Sequence, residues 1–218
     1  MSPEASNNFM SRNKNSESEL SLRGERLVLR TLTAEDFNLW RDVRNANYDW
    51  LAPWEPIQNF KNLNGLEDLR SFSIRCANRK REMELGTGWG FGIFSGDSFI
   101  GEINMSNVVR GAFQSAHVGY WIDGASAGYG YMPESLVALM KFAFEKLNLH
   151  RIQISIVPRN LPSRRVVEKL DLRCEGLAER YLEINGKWED HLRYAITSEE
   201  WSKRGSSLSA KYLGLDIK

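Results

Sequence analysis

Three glycines stand within one short run, GASAGYGYMPES (124–135), at Gly124, Gly128 and Gly130. Glycine lets backbone amides come close to a ligand and adopts positive φ without strain. Free N–H groups at the start of a helix suit an anion. The chemistry on offer is therefore phosphate binding through the main chain. A tight turn that is merely rich in glycine reads the same from these residues alone, so the flanking elements have to decide.

The flanks are those an anion site requires. SAHVGYWID (115–123) reads as a strand that delivers the chain to the turn. YMPESLVALMKFAFEKLNL (131–149) reads as an amphipathic helix, with Pro133 near its start and Leu136, Leu139, Met140 and Phe144 on one face. Upstream, ERLVLRTL (25–32) is a strand, and TAEDFNLWRDVRNA (33–46) is a helix whose Thr33 and Asp36 resemble a capping box. NYDWLAPWEP (47–56) breaks that helix, and LEDLRSFSIRCANRKREMELG (66–86) forms a second one with a C-terminal glycine. The segment 88–108 is a hairpin turning at Gly96-Asp97. RIQISIVP (151–158) is a short central strand, and NLPSRRVVEKLDL (160–172) holds a short helix. RYLEINGKWEDHLRYAI (180–196) is a final hairpin turning at Asn185-Gly186.

This order predicts a mixed α/β (α+β) domain built on a largely antiparallel sheet of about seven strands, with helices on both faces. One domain spans 22–200. Residues 1–21 are too polar to offset chain entropy and read as a disordered tail. Residues 201–218 read as a second tail, opened by a break at Gly205, whose Tyr212, Leu213, Leu215 and Ile217 offer a docking stripe.

Composition narrows the function. The 218 residues carry 29 basic and 28 acidic side chains, so no global basic field points to nucleic acid. No apolar run approaches a membrane span, and the polar start has no secretory pattern. Cys76 and Cys174 match no metal spacing and read as reduced thiols of a cytoplasmic protein. No metal site is expected.

The element order, together with AGYGYMPESL, PRNLPSRRVVEKLDLRCEG and EINGKWEDHLRYAI, resembles the GNAT N-acetyltransferase superfamily and, within it, the RimJ/RimL branch. WLAPWEP (50–56) resembles the RimJ side of that branch. The resemblance covers about residues 22–197. It implies a GNAT fold, acetyl-CoA as co-substrate, and transfer of acetyl to the α-amine of a ribosomal or other protein N-terminus. An acceptor that is a small amine (an antibiotic or a polyamine) is an alternative, as is a non-catalytic acyl-CoA-binding module.

The superfamily's phosphate motif is Gln or Arg, two residues, Gly, one residue, then Gly or Ala. Gly128 and Gly130 match, while Ala125 departs at the first position. By resemblance, the backbone from Ser126 through Ala127, Gly128, Tyr129 and Gly130 to Tyr131 cradles the pyrophosphate. Backbone groups of Trp121 and Ile122 pair with the pantetheine arm in a gap between strands, and the Trp121 ring itself reads as core. Asn160 contacts the arm and also suits a helix start. The family's catalytic Tyr position falls near Val167, so Ser163 is the implied acid for the departing thiolate.

A base is harder to assign. The Glu of RimL-like relatives corresponds to Leu182, with Glu183 on the opposite face. His117 stands near the fourth-strand position where other members place a Glu, and an imidazole accepts a proton at neutral pH. Glu102 is a further option. An α-amine has a pKa of about 7.7–8.0 against about 10.4 for lysine, so it needs less help from a base. The loop 47–56 is implied to wall the acceptor groove, with Trp50 and Trp54 as apolar faces and Asp49 and Glu55 attracting an ammonium. The oligomeric state is left as monomer or homodimer.

Overall fold

A computed structural model describes residues 20–57 and 69–215. Its sheet has eight strands in the order β1-β2-β3-β4-β5-β6-β8-β7. The strand expected at 25–32 is shorter, at Val28–Arg30 (β2), and pairs with an unforeseen strand, Ser21–Arg23 (β1). The chain turns between them, with the Gly24 N–H donating to the Leu27 carbonyl at 2.9 Å. Glycine is needed at 24 because a Cβ there would run into the carboxylate of Glu134. That carboxylate is buried and accepts from the Arg26 backbone N–H (2.7 Å) and from Arg26 Nε (2.9 Å). Glu134→Ala is expected to lower stability by about 1–2 kcal/mol, since the Arg26 backbone N–H loses its buried acceptor while the Arg26 guanidinium, 45% exposed, turns to water. Glu134→Gln, which keeps an acceptor, loses less; chemical denaturation reads both.

The hairpins fall where the sequence puts them. β3 (Trp89–Ser95) and β4 (Ser98–Val109) flank Gly96-Asp97. β7 (Arg173–Ile184) and β8 (Lys187–Thr197) flank Asn185 (φ 47°) and Gly186 (φ 76°), the two positive φ angles a tight two-residue hairpin demands. One side of the sheet carries α1 (Phe37–Ala46), the one-turn α2 (Tyr48–Leu51) and α3 (Leu69–Glu84). There Phe37, Trp40 and Phe72 pack on Phe94 and Phe99. α4 (Tyr131–Glu145) covers the other side and is buried over most of its circumference.

α4 is enclosed because it has a neighbour the sequence reading left out. Residues 201–213, expected as a tail, belong to α6 (Ser198–Leu213), which packs beside α4. Trp201 and Leu213 are buried, with the Trp201 ring stacked on Phe144 at 5.6 Å. Gly205 is no break. It lies mid-helix with the Trp201 ring occupying the space a Cβ would take. Residues 1–19, the first turn predicted for the second helix (66–68), and Ile217 lie outside the described residues.

One pairing is parallel among the described strands: β5 (Ser115–Ile122) with β6 (Arg151–Ile156). It covers Ser115–His117 against Arg151–Gln153 and then stops, so the strands splay. On its other edge β5 stays paired with β4 to Ile122, opposite Gly101. The Asp123 N–H donates to the Ile100 carbonyl at 2.8 Å, which makes Ile122/Gly101 a non-hydrogen-bonded pair. Trp121 therefore turns its backbone groups toward β4. Those of Ile122 face the gap.

Candidate active site

The gap opens into a cavity of about 230 Å³. Trp121 and Ile122 form one side, and the glycine turn supplies Ser126, Ala127, Gly128, Gly130 and Tyr131. Gly128 (φ 89°) and Gly130 (φ 86°) both sit in the left-handed region, and Gly130 caps α4. A Cβ at Gly128 would meet nothing within 4 Å, so it would project into open space beside the cavity. Tyr129 differs from its neighbours: it does not line the cavity, its side chain is exposed, and its carbonyl accepts from Arg26 Nη1 at 3.0 Å. Arg26 also lies over the Tyr131 ring at 4.7 Å, so it braces the turn from outside.

Across the gap stands the start of α5 (Leu161–Lys169). Asn160 is buried, and its side chain accepts from the Ser163 N–H at 3.2 Å as a helix cap. Asn160 and Ser163 both line the cavity. So does Tyr120, which the sequence reading passed over. Its hydroxyl donates to the Ser163 carbonyl at 3.0 Å. Burial, aided by the nearby Tyr194, pushes the phenol well above its ordinary range, so it remains protonated. Strand alternation was the available signal, since it sets Tyr120 with Val118 and Ile122, opposite Trp121.

A second cavity, of about 590 Å³, lies between α3 and β4 and meets the first at Glu55 and Trp121. Its α3 wall runs from Ser71 to Glu82, about 16 Å at 1.5 Å per helical residue. Glu102 lines it but is spoken for: Oε1 accepts from Trp40 Nε1 at 2.6 Å, and Oε2 pairs with Arg75. Arg44 grips Glu55 with two parallel bonds of 2.7 and 2.6 Å and lies 5.0 Å from the centre of the Trp121 ring. Burial would lower the Arg44 pKa, but the Glu55 and Glu102 carboxylates raise it overall.

The loop residues divide. Trp54 and Glu55 line the first cavity, and Arg159 lies over the Trp54 ring at 5.4 Å. Trp50 lines it too, but from the glycine-turn side: its Nε1 donates to the Ile122 carbonyl at 3.0 Å and its ring lies against Gly124. Trp50 and Trp54 thus both line the first cavity, with Trp50 fixed on the glycine-turn side. His117 lines neither cavity. It sits half-buried where β5 and β6 still pair, and burial first, then Arg151 and Arg193, push its pKa below the usual histidine value. The splay begins beyond it, so the imidazole does not reach the gap.

Asn47 is another residue the sequence did not announce, because an Asn ending a helix reads as a cap. Here it is buried and ties α1 to the glycine turn. It donates to the Asp123 carboxylate and accepts from the Gly124 N–H, both at 2.8 Å. Burial would raise the Asp123 pKa, but hydrogen bonds from Asn47, Ser126 and backbone amides outweigh it and lower it. A depressed carboxylate pKa contributes stability above its unfolded value and loses it as pH falls through the folded one. Asp123→Asn is expected to weaken the fall of the thermal midpoint as pH drops below about 4.

A positive-φ glycine turn at a helix start, a splayed strand pair beside it and a second cavity that shares two lining residues with the first have the form of an acyl-CoA-dependent acyltransferase site. The chain belongs to the GNAT acetyltransferase family, in its RimJ/RimL branch: residues 26–173 match the family's acetyltransferase (GNAT) domain. It is 32% identical over 188 residues to the ribosomal protein uS5-alanine N-acetyltransferase of Escherichia coli K12, covering 84% of this chain and 94% of that one. It is 33% identical over 183 residues to "Probable N-acetyltransferase YjcK" of Bacillus subtilis, covering 82% and 98%. The solved structure of Mycobacterium smegmatis RimJ in complex with CoA-disulfide superposes with a TM-score of 0.80 at 32% identity, over 88% of this chain and 93% of that one. No group of three or more His, Cys, Asp or Glu able to hold a metal occurs among the described residues. Nor is any of their helices long and apolar enough to cross a membrane.

Proposed function

We propose that the protein transfers acetyl from acetyl-CoA to the α-amine of a protein N-terminus, with a ribosomal protein in the cytoplasm as its acceptor. The observation that carries the acceptor class is the second cavity. Its length of about 16 Å matches four or five extended residues at about 3.3 Å each. It shares Glu55 and Trp121 with the first cavity. A polypeptide end laid along α3 would bring its amine to that junction. A small amine has no use for such a length. The uS5-alanine activity named for the E. coli relative supports the ribosomal assignment.

In this reading the residues from Ser126 to Tyr131 hold the pyrophosphate, and Tyr129 contributes its backbone alone. The Ile122 N–H faces the gap and is placed to polarise the thioester carbonyl. Ser163 supplies the proton to the departing sulfur. Comparing protein N-termini by mass spectrometry in cells with and without the gene tests the acceptor. One or a few ribosomal N-termini are expected to lose acetylation, and an unchanged set of N-termini would overturn the reading.

A further inference from the structure

The reaction has to move a proton off the acceptor nitrogen, and the expected candidates do not serve. His117 lines neither cavity, and Glu102 is 2% exposed with both oxygens engaged. Leu182 has no proton-accepting group, and Glu183 lines neither cavity. Among the described residues lining the first cavity Glu55 is the one carboxylate and none is a histidine, and Glu55 lines the second cavity as well.

We propose that Glu55, held by Arg44 at the junction of the two cavities, is the group that accepts the acceptor amine's proton. This rests on the reading that the amine reaches the thioester through the second cavity. The carboxylate is fixed from two directions. Arg44 binds both oxygens, and the backbone carbonyl of Glu55 accepts from the Asn185 N–H at 2.8 Å. Ile57, two residues on, rests against Gly186, which leaves no room for a side chain there. The Asn185-Gly186 turn thus anchors the loop that carries the carboxylate. Each carboxylate oxygen has a second lone pair, so the Arg44 fork leaves acceptor capacity toward the cavities. The Glu55 side chain is 27% exposed, against 12% for Arg44.

The charges suit the step. The Arg44 and Glu55 charges offset each other, and an α-amine with a pKa of about 7.7–8.0 is already partly neutral at neutral pH. The nitrogen then forms its bond to the acetyl carbon. Its proton becomes far more acidic on bonding, and a carboxylate suffices to take it. As the C–S bond breaks, the electron pair leaves with sulfur, which takes the Ser163 hydroxyl proton, and the hydroxyl regains a proton from solvent. Glu55 returns its proton to solvent. One proton leaves nitrogen and one reaches sulfur, so the exchange balances. Arg44 acts through Glu55 and is a positioning residue.

The test compares Glu55→Gln and Glu55→Asp with wild type in steady-state kinetics on an N-terminal peptide. Fold is checked by thermal melting and by acetyl-CoA binding. Gln keeps one acceptor for Arg44 but takes no proton. The expected result is a fall in kcat on the order of 10²-fold or more for Glu55→Gln, little change in acetyl-CoA affinity, and partial recovery in Glu55→Asp. A raised peptide KM with kcat within about threefold of wild type would overturn the proposal, because Glu55 would then only bind. If wild type acetylates lysine or small amines instead of peptide N-termini, the acceptor reading fails. The same variants measured on that amine still decide the role of Glu55.

Discussion

Gly128→Asp is expected to weaken acetyl-CoA binding on the order of 10²-fold or more while the protein stays folded. Gly128 has φ 89°, and a Cβ added there meets nothing within 4 Å. Asp tolerates left-handed backbone better than most residues, so the strain is about 1 kcal/mol. Its carboxylate would stand in the turn proposed to hold the pyrophosphate and repel it. Gly128→Asn, of nearly the same shape and conformational tolerance, separates bulk from charge and is expected to lose less affinity. Calorimetry reads both. A folded Gly128→Asp variant that binds as tightly as wild type would remove the phosphate from this turn. Substitution at Gly130 is a poorer test, because a Cβ there approaches Arg26 Nη2 at 3.4 Å and disturbs the brace as well as the ligand.

Ser163→Ala is expected to lower kcat about 10²-fold with acetyl-CoA affinity changed by less than about twofold. The hydroxyl matters as negative charge develops on sulfur, whereas the backbone of residue 163 keeps its bonds to Asn160 and Tyr120. Tyr120→Phe is the companion measurement. The Tyr120 phenol lies beside the same helix turn and lines the first cavity, so it is a second hydroxyl beside Ser163 there. If Ser163→Ala keeps kcat within about twofold and Tyr120→Phe loses it, the proton donor is Tyr120 and Ser163 only opens α5.

Elements whose own residues specify them were legible in the sequence. Asn185-Gly186 dictates its turn through two positive φ angles, and the apolar face of α4 announces a buried helix. The glycine turn between strand and helix was readable for the same reason. α6 was missed although its start carries a signal. Thr197 and Glu200 form a capping box, with the Thr197 N–H donating to Glu200 at 2.8 Å. Gly205 concealed the helix, because glycine reads as a breaker unless the ring that fills its space is known. β1 has three residues and owes its place to a turn fixed by Glu134, more than a hundred positions away.

The site divides along the same line. Backbone roles at Gly128 and Gly130 follow from local conformation. The places of Trp50, Asn47 and His117 depend on where the splay begins, and no local pattern states that the β5–β6 pairing ends at His117. The junction at Glu55 was half visible. A carboxylate near prolines in a loop suggested attraction of an ammonium, but its fork with Arg44 joins residues eleven apart across a helix end. Its contact with the hairpin joins more distant segments still.

In the proposed function, acetyl reaches an α-amine where the two cavities meet. The most direct measurement incubates the purified protein with acetyl-CoA and an equimolar pair of peptides, followed by tandem mass spectrometry. One peptide has a free N-terminus and no lysine; the other has a blocked N-terminus and an internal lysine. Acetyl on the free α-amine, with the lysine peptide unmodified, is the predicted result. Acetyl on the lysine, or no modified peptide from a protein that binds acetyl-CoA, would contradict it.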